Sequence, residues 1–203
     1  MSQQATISIL GGSGFIGRAL AEALTRDAQG TGRTIRVITR SRSKAKQLWS
    51  LPGIQIVEAD IRQESELSDA IEGSQVVVNL VGVLQSRPGK PWGPDFDECH
   101  VKLPSRLARC LIRLGIRRLI HVSALGASDQ APSMYLRSKA AGEAALRGTL
   151  SIDLTILRPS VVFGTGDRFL NLFAELQRFM PIVPLATPHA KFQPIAIDDL
   201  VAA

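Results

Sequence analysis

Four glycines within seven residues, Gly11-Gly12-Ser13-Gly14-Phe15-Ile16-Gly17, constrain this chain more than any other feature. They follow a short apolar segment, Ala5 to Leu10, and open a segment in which Ile16, Ala19, Leu20, Ala23 and Leu24 recur at helical spacing. Glycines remove the Cβ atoms that would hold a backbone away from a pyrophosphate, and the free N–H groups at a helix start meet its charge. A flexible loop is the competing reading, but flexibility needs neither the strand before nor the amphipathic helix after. The expectation is a dinucleotide site built on Gly11, Gly12, Ser13, Gly14, Phe15, Ile16 and Gly17.

The rest of the chain repeats that unit. Apolar runs at Thr34 to Thr39, Ile54 to Glu58, Val76 to Val81, Leu119 to Ser123 and Asp153 to Leu157 alternate with helical segments near Lys44 to Leu48, Glu64 to Ile71, a long stretch ending at Gly115, and Tyr135 to Arg147. This pattern predicts an α/β Rossmann-type fold, a doubly wound parallel sheet of six or more strands. After Arg158 the texture changes, with Pro159, Pro181, Pro184, Pro188 and Pro194 around one amphipathic stretch from Phe169 to Phe179. We therefore expect a dinucleotide-binding domain over 1–158 and the start of a small lobe over 159–203. The sequence stops at Ala203 inside a helix that Asp198 and Asp199 begin, which leads us to expect a longer native chain.

Composition excludes several classes. At 203 residues and 45% hydrophobic the chain can bury a core without staples, so disorder and coiled coil are out. Cys99 and Cys110 lie too far apart on a helix to bridge, which fits a reducing compartment. Met1 to Gln4 carries no signal-peptide pattern, and the expected location is cytoplasmic. The net charge of +6 is scattered arginine without the basic runs of a nucleic-acid binder. Arg106, Arg109 and Arg113 share one helix face, where a partner or anionic lipid headgroups at the inner face of a membrane are the functional readings and a solvated face the plain one. His100, His121 and His189 show no metal spacing, and no metal is expected.

An NAD-selective site places an acid at the end of the second strand to hold the ribose 2′-OH. This chain instead reads Thr39-Arg40-Ser41-Arg42-Ser43-Lys44, where Arg40 and Arg42 can hold a 2′-phosphate. NADP(H) is the favoured cofactor, NAD(H) stays open, and a solvated basic loop is the competing reading. Tyr135 and Lys139 are four apart and share a helix face, and an ammonium beside a phenol lowers the phenol's pKa.

Taken in order, these segments resemble the short-chain dehydrogenase/reductase superfamily. Its adenine-side pair matches Asp60-Ile61, its cofactor-side loop Asn79 to Gly82 with Val81 and Gly82 against the dinucleotide, and its Tyr-x-x-x-Lys pair Tyr135 and Lys139. Arg158-Pro159, Phe163-Gly164 and Ile197-Asp198-Asp199 resemble late motifs of its extended and atypical branches, with Pro159 at the cofactor. The resemblance implies Tyr135, Lys139 and Ser123 as candidate catalytic residues. Ser123 is the nearest candidate for the family's serine or threonine, although Ala124 can equally occupy that place. Where many extended members carry Asn-Val-x-Gly-Thr, this chain has His100-Val101-Lys102-Leu103-Pro104, which replaces the asparagine and predicts a kink at Pro104.

More narrowly, Ile120 to Ser123, Tyr135 to Glu143 and Asp167 to Asn171 resemble the nucleotide-binding accessory subunits of respiratory complex I and their bacterial relatives. That resemblance implies an atypical member holding NADP(H) as a structural ligand, with a respiratory complex as its protein partner. The alternative is an active NAD(P)H-dependent reductase or nucleotide-sugar epimerase/dehydratase using Tyr135 and Lys139.

Overall fold

The computed structural model describes residues 5–27, 32–149, 151–167 and 192–203. They divide between two compact units, Met1–Arg158 and Pro159–Ala203. In the first, β1 (Thr6–Leu10), β2 (Thr34–Thr39), β3 (Ile54–Glu58), β4 (Val76–Asn79), β5 (Arg118–Val122) and β6 (Asp153–Leu157) form one sheet in the order β3-β2-β1-β4-β5-β6. Every pairing is parallel. This is the Rossmann-type architecture expected from the alternating pattern. The chain reverses its direction of travel across the sheet between β1 and β4, so their carboxyl ends open a crevice there.

Consecutive apolar residues explain why the central strands sit inside. Leu10, Ile38, Val77 and Leu119 point to one face, where they pack with Leu67 and Ile71 of α2 (Glu64–Ile71) and Leu103, Leu107 and Leu111 of α4 (Leu103–Leu114). Ile9, Val37 and Val78 point to the other, against Ala21 of α1 (Phe15–Asp27) and Ala45 and Leu48 of a 3₁₀ helix, Arg42–Leu48. A strand buried on both faces needs this doubled apolar run rather than polar alternation.

Two boundaries differ from the sequence expectation. Strand β4 stops at Asn79 instead of Val81, because the Asn79 side chain turns back and accepts the Val81 N–H at 3.1 Å. The long helix is composite: α3 (Pro94–Phe96) runs into a π-helical turn, Asp97–Lys102, and then α4. Pro104 lies in the first turn of α4, directly after the π turn; it gives no N–H to the carbonyls of that turn, so the irregularity falls on its N-terminal side, where a proline within a continuous helical run disturbs it. Helix α5 (Met134–Arg147) starts at a true cap, Ser133, whose hydroxyl accepts the Leu136 N–H at 3.1 Å.

The arginine face of α4 is engaged within the protein. Arg106 donates to Glu98 and to the Ile61 carbonyl, while Arg109 and Arg113 both bind Glu64 of α2. At the far end of α5, the buried Glu143 carboxylate receives Arg158 at 2.8 and 2.5 Å and Arg147 at 3.1 Å. Cys99 and Cys110 are free thiols.

In the second unit, β7 (Val162–Phe163) pairs in parallel with β8 (Ile195–Ala196), which leads into α6 (Ile197–Ala202). Asp198 and Asp199 occupy the first turn of that helix, where its dipole favours negative charge. The stretch Phe169 to Phe179 and His189 lie outside the described residues. Among the described residues no helix is long and apolar enough to cross a membrane.

Two outcomes follow for variants. In Gly17→Ala the added Cβ would lie 2.4 Å from the Gly11 carbonyl oxygen and 2.5 Å from Gly12 Cα. Rigid backbone cannot yield there, so we expect a loss of about 1–3 kcal/mol in urea unfolding together with weakened dinucleotide binding. Glu143→Gln removes the carboxylate from two arginines that are part exposed and can rehydrate. We expect about 1–2 kcal/mol, below the cost of breaking a fully buried pair. Burial alone would raise the Glu143 pKa, but the hydrogen bonds from Arg158, the nearby Ser123 hydroxyl and the charges of Arg158 and Arg147 bring it below the usual carboxylate value of 4.5. A group with a lowered folded pKa stabilises above its unfolded value and loses that contribution as pH falls. The stability gap between wild type and Glu143→Gln should therefore narrow below about pH 4.5.

Candidate functional site

The crevice at the strand ends is a cleft of about 270 Å³, lined from the termini of β1, β2, β3 and β4 and from the π turn and α4 above them. Its floor is the glycine turn. Gly11 has φ +78°, which only glycine adopts at little cost, and a Cβ there would touch the Leu80 and Val81 backbone at 3.3 Å. The Gly14 N–H closes onto the Gly11 carbonyl at 3.0 Å and Arg18 N–H onto Gly14 at 2.9 Å, which starts α1 immediately over the strand end. Gly11, Ser13 and Gly14 line the cleft. Gly12 and Gly17 lie beneath, allowing loop, helix and Val37 to meet, and Phe15 and Ile16 form the first turn of the helix. The residues fit a pyrophosphate: small, with backbone donors and a helix start facing one space.

One rim of the cleft is cationic. Arg40, Lys44, Arg62 and Arg106 line it, against a single acid, Glu98. Ser13 and Thr39 hydroxyls are 3.0 Å apart, which ties the glycine turn to the end of β2. Of the two arginines read as phosphate holders, Arg40 lines the cleft. Arg42 turns toward β3, its N–H on Glu58 at 2.9 Å and its guanidinium 3.4 Å from the Ile56 carbonyl. Lys44 takes the cleft position in its place. Ile61 lines the cleft, whereas the Asp60 carboxylate is gripped by Arg62 at 2.7 and 2.8 Å, a contact that holds its pKa down at about 2. Arg62, Glu98, Cys99, Leu103 and Arg106 were not read as site residues. The helical spacing that puts Glu98 or Cys99 under a cleft is broken by the π turn, and the spacing of Arg106 with Arg109 and Arg113 points to a partner, lipid or solvated face rather than to the cleft.

At the other end, Tyr135, Lys139, His100 and His121 lie behind the cleft and do not line it. Val81, Gly82 and Val83 form its wall. A Cβ on Gly82 would lie 3.5 Å from His100 Nε2 and 3.8 Å from Lys139 Nζ. Lys139 is buried and donates to the Val122 carbonyl at 2.8 Å; burial brings its pKa down to about 8, with Glu143 and Cys99 pulling it back up. His121 meets Asn79 at 3.1 Å, and burial with the Lys139 charge holds its pKa at about 3. The Tyr135 ring stands edge-on to His100 and Phe96, at 5.4 and 5.9 Å.

Here the structure corrects the sequence expectation for Tyr135. The phenol pKa is raised, not lowered, because burial acts on it while the Lys139 ammonium is directed at the Val122 carbonyl. Ser123, at the end of β5, is 4% exposed and its hydroxyl meets no hydrogen-bond partner. It lies toward Glu143, near enough to help keep that carboxylate charged, and does not line the cleft. Pro159 opens the second unit.

Comparison with known proteins agrees with this geometry. Residues 11–168 match the family described as NAD(P)H-binding. The chain is similar to NADH dehydrogenase [ubiquinone] 1 alpha subcomplex subunit 9 of Rattus norvegicus, at 33% identity across 95% of this chain and 50% of that protein. It is also similar to the ceramide reductase of Caulobacter vibrioides, at 29% identity across 97% of this chain and 58% of that one. The chain thus spans about half the length of the curated relatives it matches. Among solved structures, the fold of a Streptomyces venezuelae dTDP-glucose 4,6-dehydratase with NAD bound superposes with a TM-score of 0.77 at 21% identity, covering 97% of this chain and 69% of that one. Matched over most of its length, the chain belongs to the NAD(P)H-binding family.

Proposed function

We propose that the protein holds NADP(H) as a tightly bound ligand and serves as an accessory or assembly component of a respiratory complex. One observation carries this reading: the cleft is equipped at its cofactor end and not at its reacting end. Cations and backbone donors surround the position of the phosphates, with Arg40 and Lys44 at the end of β2, where an acid would select the 2′-OH. Tyr135, Lys139 and Ser123 all lie outside the lining of the cleft, with Lys139 held by a carbonyl and the Tyr135 phenol pushed away from ionisation. When bound, the dinucleotide supplies hydride chemistry. The residues around it bind it and exclude water, and binding of a ligand by the folded state alone stabilises that state. Likeness to subunits named for NADH dehydrogenase supports a complex as the partner. Free thiols at Cys99 and Cys110 fit a reducing, cytoplasmic compartment, with the inner face of a membrane as the place of assembly.

The second reading is a reductase or epimerase. It rests on Tyr135 and Lys139 sharing one face of α5, with Tyr135 as proton donor and Lys139 orienting the nicotinamide ribose. The named ceramide reductase among the relatives favours it.

Two measurements separate these. Purified protein should release a dinucleotide on denaturation, identified by mass as NADP(H), and bound NADPH should persist for hours with aldehydes and ketones present, equally in wild type and Tyr135→Phe. Oxidation that disappears in Tyr135→Phe would transfer the protein to the reductase reading. Arg40→Glu should weaken NADPH about 10- to 100-fold, the cost of exchanging one charge-assisted contact for a repulsion, while NADH binding barely changes. Equal losses for both cofactors would end the NADP assignment.

A further inference from the structure

Where the long helical stretch opens into its π turn, an imidazole is held from several sides. His100 is 2% exposed. Its Nε2 accepts the Val83 N–H at 3.1 Å, and its Nδ1 lies 2.8 Å from Ser138 Oγ. Ser138 gives its own proton to the Tyr135 carbonyl at 2.7 Å. With Nε2 accepting and the Ser138 proton committed, the imidazole proton belongs on Nδ1, donated to Ser138. A single neutral tautomer satisfies every partner. Phe96 stacks on the ring at 5.3 Å, and Tyr135 stands edge-on to it. The π turn is pressed so closely onto α5 that a Cβ on Gly142 would fall 1.9 Å from the His100 carbonyl oxygen.

The Val83 side of this contact leads back to the phosphates. Val83 lies near the start of the loop after β4, whose first residues, Leu80 and Val81, lie 3.3 Å from where a Cβ on Gly11 would stand. Packed backbone and three hydrogen bonds thus join the glycine turn to the backbone of Tyr135: Gly11 to Leu80–Val83, Val83 to His100, His100 to Ser138, and Ser138 to the Tyr135 carbonyl.

We propose that His100 is a positioning residue that ties the cofactor-side loop to the first turns of α5, so that filling the phosphate end of the cleft is felt at Tyr135. The proposal rests on the dinucleotide reading of the cleft. An imidazole suits the task because it is flat, rigid and two-ended, with an acceptor and a donor on fixed edges; a shift at Val83 moves the ring as a unit. An aliphatic side chain of similar size would fill the space and leave the Val83 N–H buried without a partner. No proton need move, since both ring nitrogens are engaged.

The test uses the fact that Tyr135 is the single tyrosine of the chain. Protein carrying ring-labelled tyrosine gives one set of aromatic NMR signals. The ligand used is 2′-phospho-ADP, which lacks both the nicotinamide and the nicotinamide-side ribose and so fills the phosphate end while staying clear of the phenol. In wild type the Tyr135 signals should shift on its saturation. In His100→Leu the ligand should still bind and the shift should be lost. His100→Asn, whose amide can accept from Val83 and donate to Ser138, should restore part of it, a rescue that simple cavity filling would not produce. Ser138→Ala, a small change where folding is safest, should abolish the shift as well. A full shift in folded His100→Leu or Ser138→Ala, or none in saturated wild type, overturns the proposal. Failure of the wild type to bind the ligand at all is a different result: it removes the dinucleotide reading and this proposal with it.

Discussion

Helix α1 starts within a backbone's width of the strand before it because Gly17 carries no Cβ where one would lie 2.4 Å from the Gly11 carbonyl oxygen. That approach has consequences in both directions. It brings the helix's unpaired N–H groups over the end of β1, at the point where the sheet order turns from β2 to β4, and so fixes where negative charge is welcome. It also leaves Gly11 in contact with Leu80 and Val81, so the loop after β4 has to run along the glycine turn. Arg40, Lys44 and the Gly82 wall all take their places relative to this turn. The two apolar clusters on either face of the sheet hold the arrangement rigid, but they would do the same for any doubly wound sheet.

From that anchor the cleft divides by dielectric as much as by charge. At the rim Arg40, Lys44 and Arg62 are exposed to water, Arg62 in an ion pair with Asp60. Toward β5, burial keeps His100 and His121 neutral, with pKa values of about 3, and pushes the Tyr135 phenol upward, while Lys139, brought down to about 8, keeps its charge. Burial is the leading cause for each.

Much of this was legible in the residues. Doubled apolar runs such as Ile9-Leu10 and Val77-Val78 can only belong to strands covered on both faces, and the glycine turn announced the ligand because backbone geometry depends on local residues alone. What the sequence concealed depends on distant partners. Arg40 and Arg42 look equivalent in the chain, yet the 3₁₀ helix that begins at Arg42 sends its side chain to β3 and gives the cleft to Lys44. The π turn is stabilised by His100 reaching Val83 and Ser138, 17 and 38 residues away; Pro104 marked an irregularity on its own N-terminal side, but not that the turn would be π-helical or what would hold it. Helical spacing correctly puts Tyr135 and Lys139 on one face. It says nothing of whether the ammonium turns to the phenol or to a strand carbonyl, and on that choice the sign of the phenol's shift depends.

The charge of Lys139 is decided at a distance in the same way. Burial alone would carry it further toward the neutral amine, and the nearest carboxylate opposing this is Glu143, one helical turn on. Glu143 is itself almost wholly buried and stays ionised because Arg158, at the end of β6, and Arg147 hold it. The end of the last sheet strand therefore supports a carboxylate, the carboxylate supports an ammonium, and the ammonium stands beside the Gly82 wall of the cleft. With a pKa of about 8 the lysine is mostly protonated at neutral pH, and it donates to the Val122 carbonyl. Arg158 is thus part of the cleft's electrostatics without lining it, through a buried carboxylate that has no role except to keep its neighbours charged.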